Sequence, residues 1–239
     1  LLMGQAVLVM QASGINHESA PAGVLVCHGT ILAEHLCMAA ELMYGVDITI
    51  EHEGDVMEKI IVGVDTGTTA VKAVAFNLNG EILNAAHRTC PAVNYGRRGE
   101  AEQDLNQIWE AVADALAELT SKTGDHEIVG VGLTGQGDGA WLLDKEHKPL
   151  RPAAIWMDGR AGKRVAQWQQ DGRAQRVLEV TGTTIFPALV PILLDEFEAE
   201  QPGFLAQIGT LFHCKDWIRY NLTGELATDY TEASRSFFN

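Results

Sequence analysis

A chain of 239 residues that is 46% hydrophobic and 21% charged is long enough for one large core or two smaller ones, and has the composition of a soluble globular protein. Its formal net charge of −15 works against nucleic acid or an anionic membrane surface as partner. The same charge requires any phosphate-bearing ligand to be met locally, by backbone N–H groups, a metal ion or a few Lys and Arg side chains.

Cys27, Cys37, Cys90 and Cys214 show no CxxC or Cys/His metal spacing and read as reduced packing residues of a cytoplasmic protein. The apolar N-terminus lacks the basic stretch of a signal peptide, and no uncharged run is long enough for a transmembrane helix.

A seam falls near Met57. Residues 1–56 hold no Lys or Arg, while all 17 basic residues follow Met57. The shift predicts a boundary, with 1–56 an N-terminal extension of uncertain origin and 57–239 a separate domain. Within the extension, "GVLVCHGTILAEHLCMAAELMYG" (23–45) reads as a strand ending at Cys27-His28-Gly29, then a helix with Ala33, Leu36, Ala40 and Met43 at helical spacing. This stretch resembles the opening of mannose-type IIA domains of the sugar phosphotransferase system. That resemblance implies a phosphoryl-carrying role for His28, against the structural role a strand-end histidine commonly has.

After the seam come three β-branched runs, Lys59–Val64, Ala70–Phe76 and Glu81–Ala86, separated by "DTGTT" and by the turn "NLNG". A helix is predicted over 104–123, with Leu105, Ile108, Val112, Leu116 and Leu119 on one face, Asp104 as N-cap and Gly124 as C-cap. A strand, "IVGVGL", follows at 128–133. The order β-β-β-α-β predicts an α/β fold of the ribonuclease H-like (actin-like ATPase) type, a mixed sheet flanked by helices, here as one incomplete lobe.

In such a fold the first turn is a phosphate site. Gly67 permits a tight turn whose N–H groups converge on an anion. Thr66, Thr68 and Thr69 add hydroxyl donors, and Asp65 is the candidate ligand of a hydrated Mg²⁺ bridging phosphate oxygens. Lys72 on the next strand adds charge. The same D-x-G-T-T pattern also serves as a plain hairpin turn.

A second constellation lies in "GLTGQGDGAWLLDKEHKPLRPAAIWMDGRAGKRV" (132–165). Glycines let backbone approach a ligand closely, while Gln136 and Asp138 offer an amide and a carboxylate suited to vicinal hydroxyls. Trp156, Asp158 and Arg160 follow at the end of another apolar run and suggest a polyol pocket. The helix over 159–171 carries Arg160, Lys163 and Arg164 and reads as a solvated basic face. "PALVPILLDEFEAEQPGF" reads as a core helix closed by Pro202-Gly203, and Trp217 and Tyr220 as core.

Five stretches, in order, resemble the FGGY carbohydrate kinases over essentially all of 57–239. They are "GVDTGTTAVKAVAFN", "EAEQDLNQIW", "GLTGQGDGAWLLD", "AAIWMDGRA" and "HCKDWIRYNLTGELATDYTEASRS". The resemblance implies ATP-dependent phosphoryl transfer to a primary hydroxyl of a sugar or polyol. It gives Asp65, Thr66 and Thr68 to Mg-ATP, Gln136 and Asp138 to substrate hydroxyls, and places Asp229 nearby. Family members that phosphorylate glycerol carry Trp where Glu100 stands and Arg where Gly137 stands, and xylulose kinases usually carry Met-His at Gly137-Asp138. The "GQGDG" loop is closer to erythritol and L-xylulose kinases, with Glu100 as an added hydroxyl acceptor.

In that family the catalytic base, an Asp in a Gly-x-x-Asp-Gln segment, and the ATP-binding C-terminal lobe follow later. No catalytic residue is therefore expected within 1–239. The chain by itself is expected to be inactive and to self-associate, a homodimer included, through surface meant for the missing lobe. The alternative is a non-catalytic sugar-binding remnant or regulatory module of the same fold.

Overall fold

The structure, a computed structural model, describes residues 58–236 and the backbone of residues 5–10 and 24–28. The chain falls into two compact units, Leu1–Thr89 with Ala111–Gly135, and Cys90–Glu110 with Gln136–Asn239.

In the first unit, β1 (Gln5–Met10), β2 (Val24–His28), β3 (Glu58–Thr66), β4 (Ala70–Asn77), β5 (Ile82–Thr89) and β8 (His126–Gly135) form one sheet in the order β2-β1-β8-β3-β4-β5. β3 runs antiparallel to β4 and parallel to β8, so the sheet is mixed, as the sequence order predicts. β1 pairs antiparallel with β8 at the other side. The helix expected after His28 lies outside the described residues.

Alternation sets the faces of β3. Ile60, Val62, Val64 and Thr66 are buried, and Val71, Ala73 and Ala75 of β4 join them. The "NLNG" turn closes through the Asn77 carboxamide oxygen, which accepts the N–H groups of Asn79 and Glu81, both at 3.0 Å.

Helix α1 (Leu105–Thr123) precedes β8 in the chain. Asp104 caps it by accepting the Gln107 N–H at 3.0 Å, and Gly124, at φ 72°, ends it. The buried stripe is Leu105, Ile108, Val112, Ala115 and Leu119. Leu116, expected on that stripe, is only half-buried, because a 3.6-residue period from Val112 lands between 115 and 116 and the methyl-sized Ala115 packs closer.

The second unit is built from short pieces. β6 (Asn94–Tyr95), β7 (Ala101–Gln103) and β10 (Ala153–Ala154) make a small sheet, and β9 (Trp141–Leu143) pairs with β11 (Thr210–Phe212). Helices α2 (Gly162–Gln170), α3 (Arg173–Thr181), α4 (Val190–Glu200), α5 (Cys214–Thr223) and α6 (Tyr230–Arg235) surround them. Ala140, Leu142, Leu189, Ile192, Leu193, Phe197 and Phe204 form its apolar cluster. As expected, α4 packs this core and ends at Pro202-Gly203, where the Glu198 carboxylate accepts the N–H groups of Gly203 and Leu205 at 2.7 and 3.0 Å. Among the described residues, no helix is long and apolar enough to cross a membrane.

Phe197 holds this cluster together. It is 1% exposed, lies 5.5 Å from the Phe204 ring centroid, and carries the Arg151 guanidinium 4.0 Å above its face. Phe197→Ala is expected to lower stability by about 3–5 kcal/mol in urea unfolding. A loss below about 1 kcal/mol would show that the cluster closes over the cavity.

Candidate functional site

The first group of candidate residues sits where β3 turns into β4. Asp65 ends the exposed face of β3, in register with Lys72 across β4 and with Thr134 across β8. These three side chains share one face of the sheet. The Thr134 hydroxyl is buried without a hydrogen-bond partner, an acceptor–donor that lies beside the Asp65 carboxylate. Burial raises the pKa of Asp65 above its ordinary value, and the Lys72 charge opposes that rise. Thr66 follows the opposite rule. It lies fully buried on the inner face in line with Val62 and Val64, so strand alternation separates its hydroxyl from Asp65.

The turn itself is closed by Gly67, whose N–H donates to the Ala70 carbonyl at 3.0 Å. Gly67 does not adopt a positive φ. Glycine is favoured there because a Cβ would stand 3.3 Å from the Ala70 carbonyl oxygen. The tip residues Thr68 and Thr69 are half-buried and exposed respectively.

The second group lies in the other unit, around the loop after β8. The Gln136 amide donates to the buried Gln103 side chain at 2.9 Å, and a Cβ on Gly137 would meet the Glu232 carboxylate at 3.7 Å. Asp138 takes a left-handed backbone, φ 55°, unusual for a residue other than glycine. Gly139 follows at φ 80°, and a Cβ there would fall 2.3 Å from the Ala154 carbonyl oxygen, a close approach only glycine allows. The Asp138 carboxylate accepts from Arg235 Nε at 3.0 Å and from a terminal guanidinium nitrogen at 3.3 Å.

Beneath this loop, α5 and α6 enclose a cluster of ionisable groups: His213, Lys215, Asp216, Asp229 and Glu232 are all 6% exposed or less. Asp229 caps α6 by accepting the Thr231 and Glu232 N–H groups at 2.8 and 3.2 Å, and it forms an ion pair with Lys215. The Lys215 ammonium also lies 4.0 Å from Glu232. His213 stands 3.6 Å from each of Asp216 and Glu232, an ion-pair distance, and 3.5 Å from the Ser236 hydroxyl. Burial alone would lower the His213 pKa, but Asp216 and Glu232 outweigh it and raise it above the ordinary value. Burial raises Glu232, against the pull of His213 and Lys215. For Asp229 the bonds from Lys215 and Thr231 overcome burial and lower its pKa.

Two expected site residues have a structural role instead. Asp158 accepts from the Ala101 N–H and from the Arg160 backbone and guanidinium, and Arg160 bonds Glu102 in turn. The two side chains are 0% and 2% exposed, so neither faces a polyol, and Arg160 leaves the solvated basic face on which its sequence neighbours place it. Desolvation would lower the Arg160 pKa, but Asp158 and Glu102 raise it further above its ordinary value. Lys163 does remain exposed. Glu100 belongs to a surface turn, where it accepts the Arg98 N–H at 2.7 Å and pairs with the Arg98 guanidinium at 2.9 Å. Its own backbone N–H and that of Arg98 lower its pKa to about 2.

His213, Glu232 and Arg235 escaped the residue-level reading. Their one signal was charge recurring inside "HCKDWIRYNLTGELATDYTEASRS" among apolar positions. Cys90 and Cys214 are buried thiols outside any disulfide, as expected of packing residues.

A mixed sheet opened by a β-β-β-α-β order, with an acid at its first turn and a glycine-bracketed amide and carboxylate after β8, is the frame of a sugar kinase lobe. Residues 60–239 match the N-terminal domain of the FGGY family of carbohydrate kinases, and the chain belongs to that family. It is 37% identical over 183 residues to erythritol kinase of Brucella abortus, covering 75% of this chain and 35% of that protein. It is 30% identical to a probable L-xylulose kinase of Pasteurella multocida, covering 73% and 36%. The gluconate kinase of Lactobacillus acidophilus superposes with a TM-score of 0.71 at 28% identity, covering 75% of this chain and 36% of that one. The fold is therefore the actin-like ATPase fold of the sugar kinases, and the chain spans about a third of the length of these relatives.

The buried imidazole carries a pH signature. Its folded-state pKa lies above the unfolded value of about 6.5, so its stabilisation is complete below that pH and is lost as pH rises through the folded pKa. Urea unfolding of wild type and His213→Gln is expected to show the largest wild-type advantage below about pH 6.5, shrinking above it. An advantage that grows with pH would contradict the imidazolium.

Proposed function

We propose that this chain is the sugar-binding part of an ATP-dependent kinase that phosphorylates a primary hydroxyl of a tetritol or pentulose. The observation that carries the reading is the loop Gln136–Asp138, where a buried amide and a partly open carboxylate flank a residue without a side chain. A carboxylate accepts from two adjacent hydroxyls and an amide both donates and accepts, which is the donor–acceptor set a polyol needs. Asp229 supports the loop from below by fixing α6. The activity is proposed for the protein that carries this chain, since about two thirds of the relatives' length lies outside the match.

The nucleotide end is assigned to Asp65, Thr68, Thr69 and Lys72. Asp65 with the orphaned Thr134 hydroxyl beside it offers the hard oxygen donors that Mg²⁺ takes through its water shell. Mg-ATP would supply the phosphoryl group and offset its charge. Lys72 contributes a cation on the same face, as a chain of net charge −15 requires. Phosphoryl transfer of this kind depends on positioning and charge neutralisation, so the chain's own residues hold, orient and neutralise. Reliance on ATP and buried thiols outside any disulfide fit a cytoplasmic setting.

A thermal-shift screen of the protein carrying this chain is expected to show stabilisation by erythritol or a pentulose over glycerol, and phosphorylation of the same compound with Mg-ATP. Asp65→Asn is expected to lower turnover about 10²-fold. If no tetritol or pentulose shifts the melt or accepts phosphate, the reading is wrong.

A further inference from the structure

The ion pair between Asp138 and Arg235 differs from the buried Asp158–Arg160 pair of its unit. Asp158 and Arg160 are 0% and 2% exposed and closed to any ligand, whereas Asp138 and Arg235 keep 21% and 33% of their side chains open. Asp138 also sits on a left-handed backbone, which a residue with a Cβ adopts at a cost unless its surroundings hold it there. His147, the other such non-glycine residue among those described, lies in the turn between Asp144 and Lys148 and is accounted for by that turn.

We propose that Arg235 positions the Asp138 carboxylate for the substrate's hydroxyls, an assignment that rests on the sugar-site reading above. A carboxylate has about four acceptor sites. The guanidinium fork takes one on each oxygen, at 3.0 and 3.3 Å, and fixes the plane of the group. One acceptor site on each oxygen is left over for a hydroxyl donor. Gly137 beside Asp138 adds no side chain to the loop, and a Cβ there would meet the Glu232 carboxylate at 3.7 Å.

Arg235 is itself fixed. Its guanidinium lies 5.6 Å from the Phe186 ring centroid, and its helix is pinned by the Asp229 cap, by buried Glu232 and by Ser236 against His213. A lysine would keep the charge and lose the fork. The guanidinium does not need to touch the substrate.

The test is steady-state kinetics of the protein carrying this chain, as wild type, R235Q and R235K, with melting curves run alongside. Losing one charge-assisted bond's worth of orientation, R235Q is expected to raise KM for the polyol about 10–100-fold while KM for ATP stays within about twofold. R235K is expected to show a smaller rise of the same kind, and it carries the test if R235Q does not fold. An active wild type with polyol KM unchanged in both variants overturns the positioning role alone, as does a parallel rise in both KM values. A wild type that phosphorylates no polyol removes the sugar-site reading, and this assignment with it.

Discussion

An ammonium group taken out of water has to meet carboxylates, and in this chain that requirement falls on Lys215. With Asp229 paired to it and Glu232 within 4.0 Å, the lysine ties α5 to the first turn of α6. A six-residue helix has too few hydrogen bonds to stand alone, so α6 keeps its place through these charges and the Asp229 cap. Removing one member of a buried pair of this kind typically costs about 3–5 kcal/mol, because the other is left charged and unsolvated. The loop contacts of Glu232 and Arg235 thus depend on a group that itself touches no surface.

The same unit shows two uses of charge. Asp158, Arg160, Glu102 and Arg151 form a closed network whose bonds run to one another and to the Ala101 backbone, with both guanidinium groups lying over Phe197. Such a network orders the backbone between β7 and α2, with Asp158 and Arg160 buried at its centre. Asp138 is held by the Arg235 fork yet keeps 21% of its side chain exposed. In the first unit, Asp65 faces Lys72 in register, and desolvation outweighs the lysine in its titration. A carboxylate whose charge is incompletely satisfied by the protein is one that a bound cation would stabilise.

What the sequence disclosed follows from periodicity. β3, β4, α1 and α4 each repeat an apolar pattern long enough to fix type and face, and glycines bracket the Gln136–Asp138 loop plainly. Thr66 was misplaced because a motif reading ignores the alternation that puts it with Val62 and Val64 inside. Arg160 is misread because three basic residues within "GRAGKR" look like a solvated face, while its second carboxylate partner after Asp158, Glu102, is 58 residues away. The run "HCKDW" hid its role for the same reason. Lys and Asp are surface residues by default, and only tertiary pairing with Asp229 and Glu232 reverses that.

The loop chemistry also bears on substrate length. In glycerol-phosphorylating members of the family, a long arginine fills position 137, and a tryptophan stands where Glu100 does. Here position 137 contributes no side chain, and Glu100 is folded back onto Arg98. Both changes remove volume, and neither supplies a donor to replace the arginine. The acceptor at 138 is a short carboxylate held close to the backbone by its fork. On the proposed sugar-site reading, the loss of a side chain at 137 and the acceptor at 138 suit a substrate larger than glycerol.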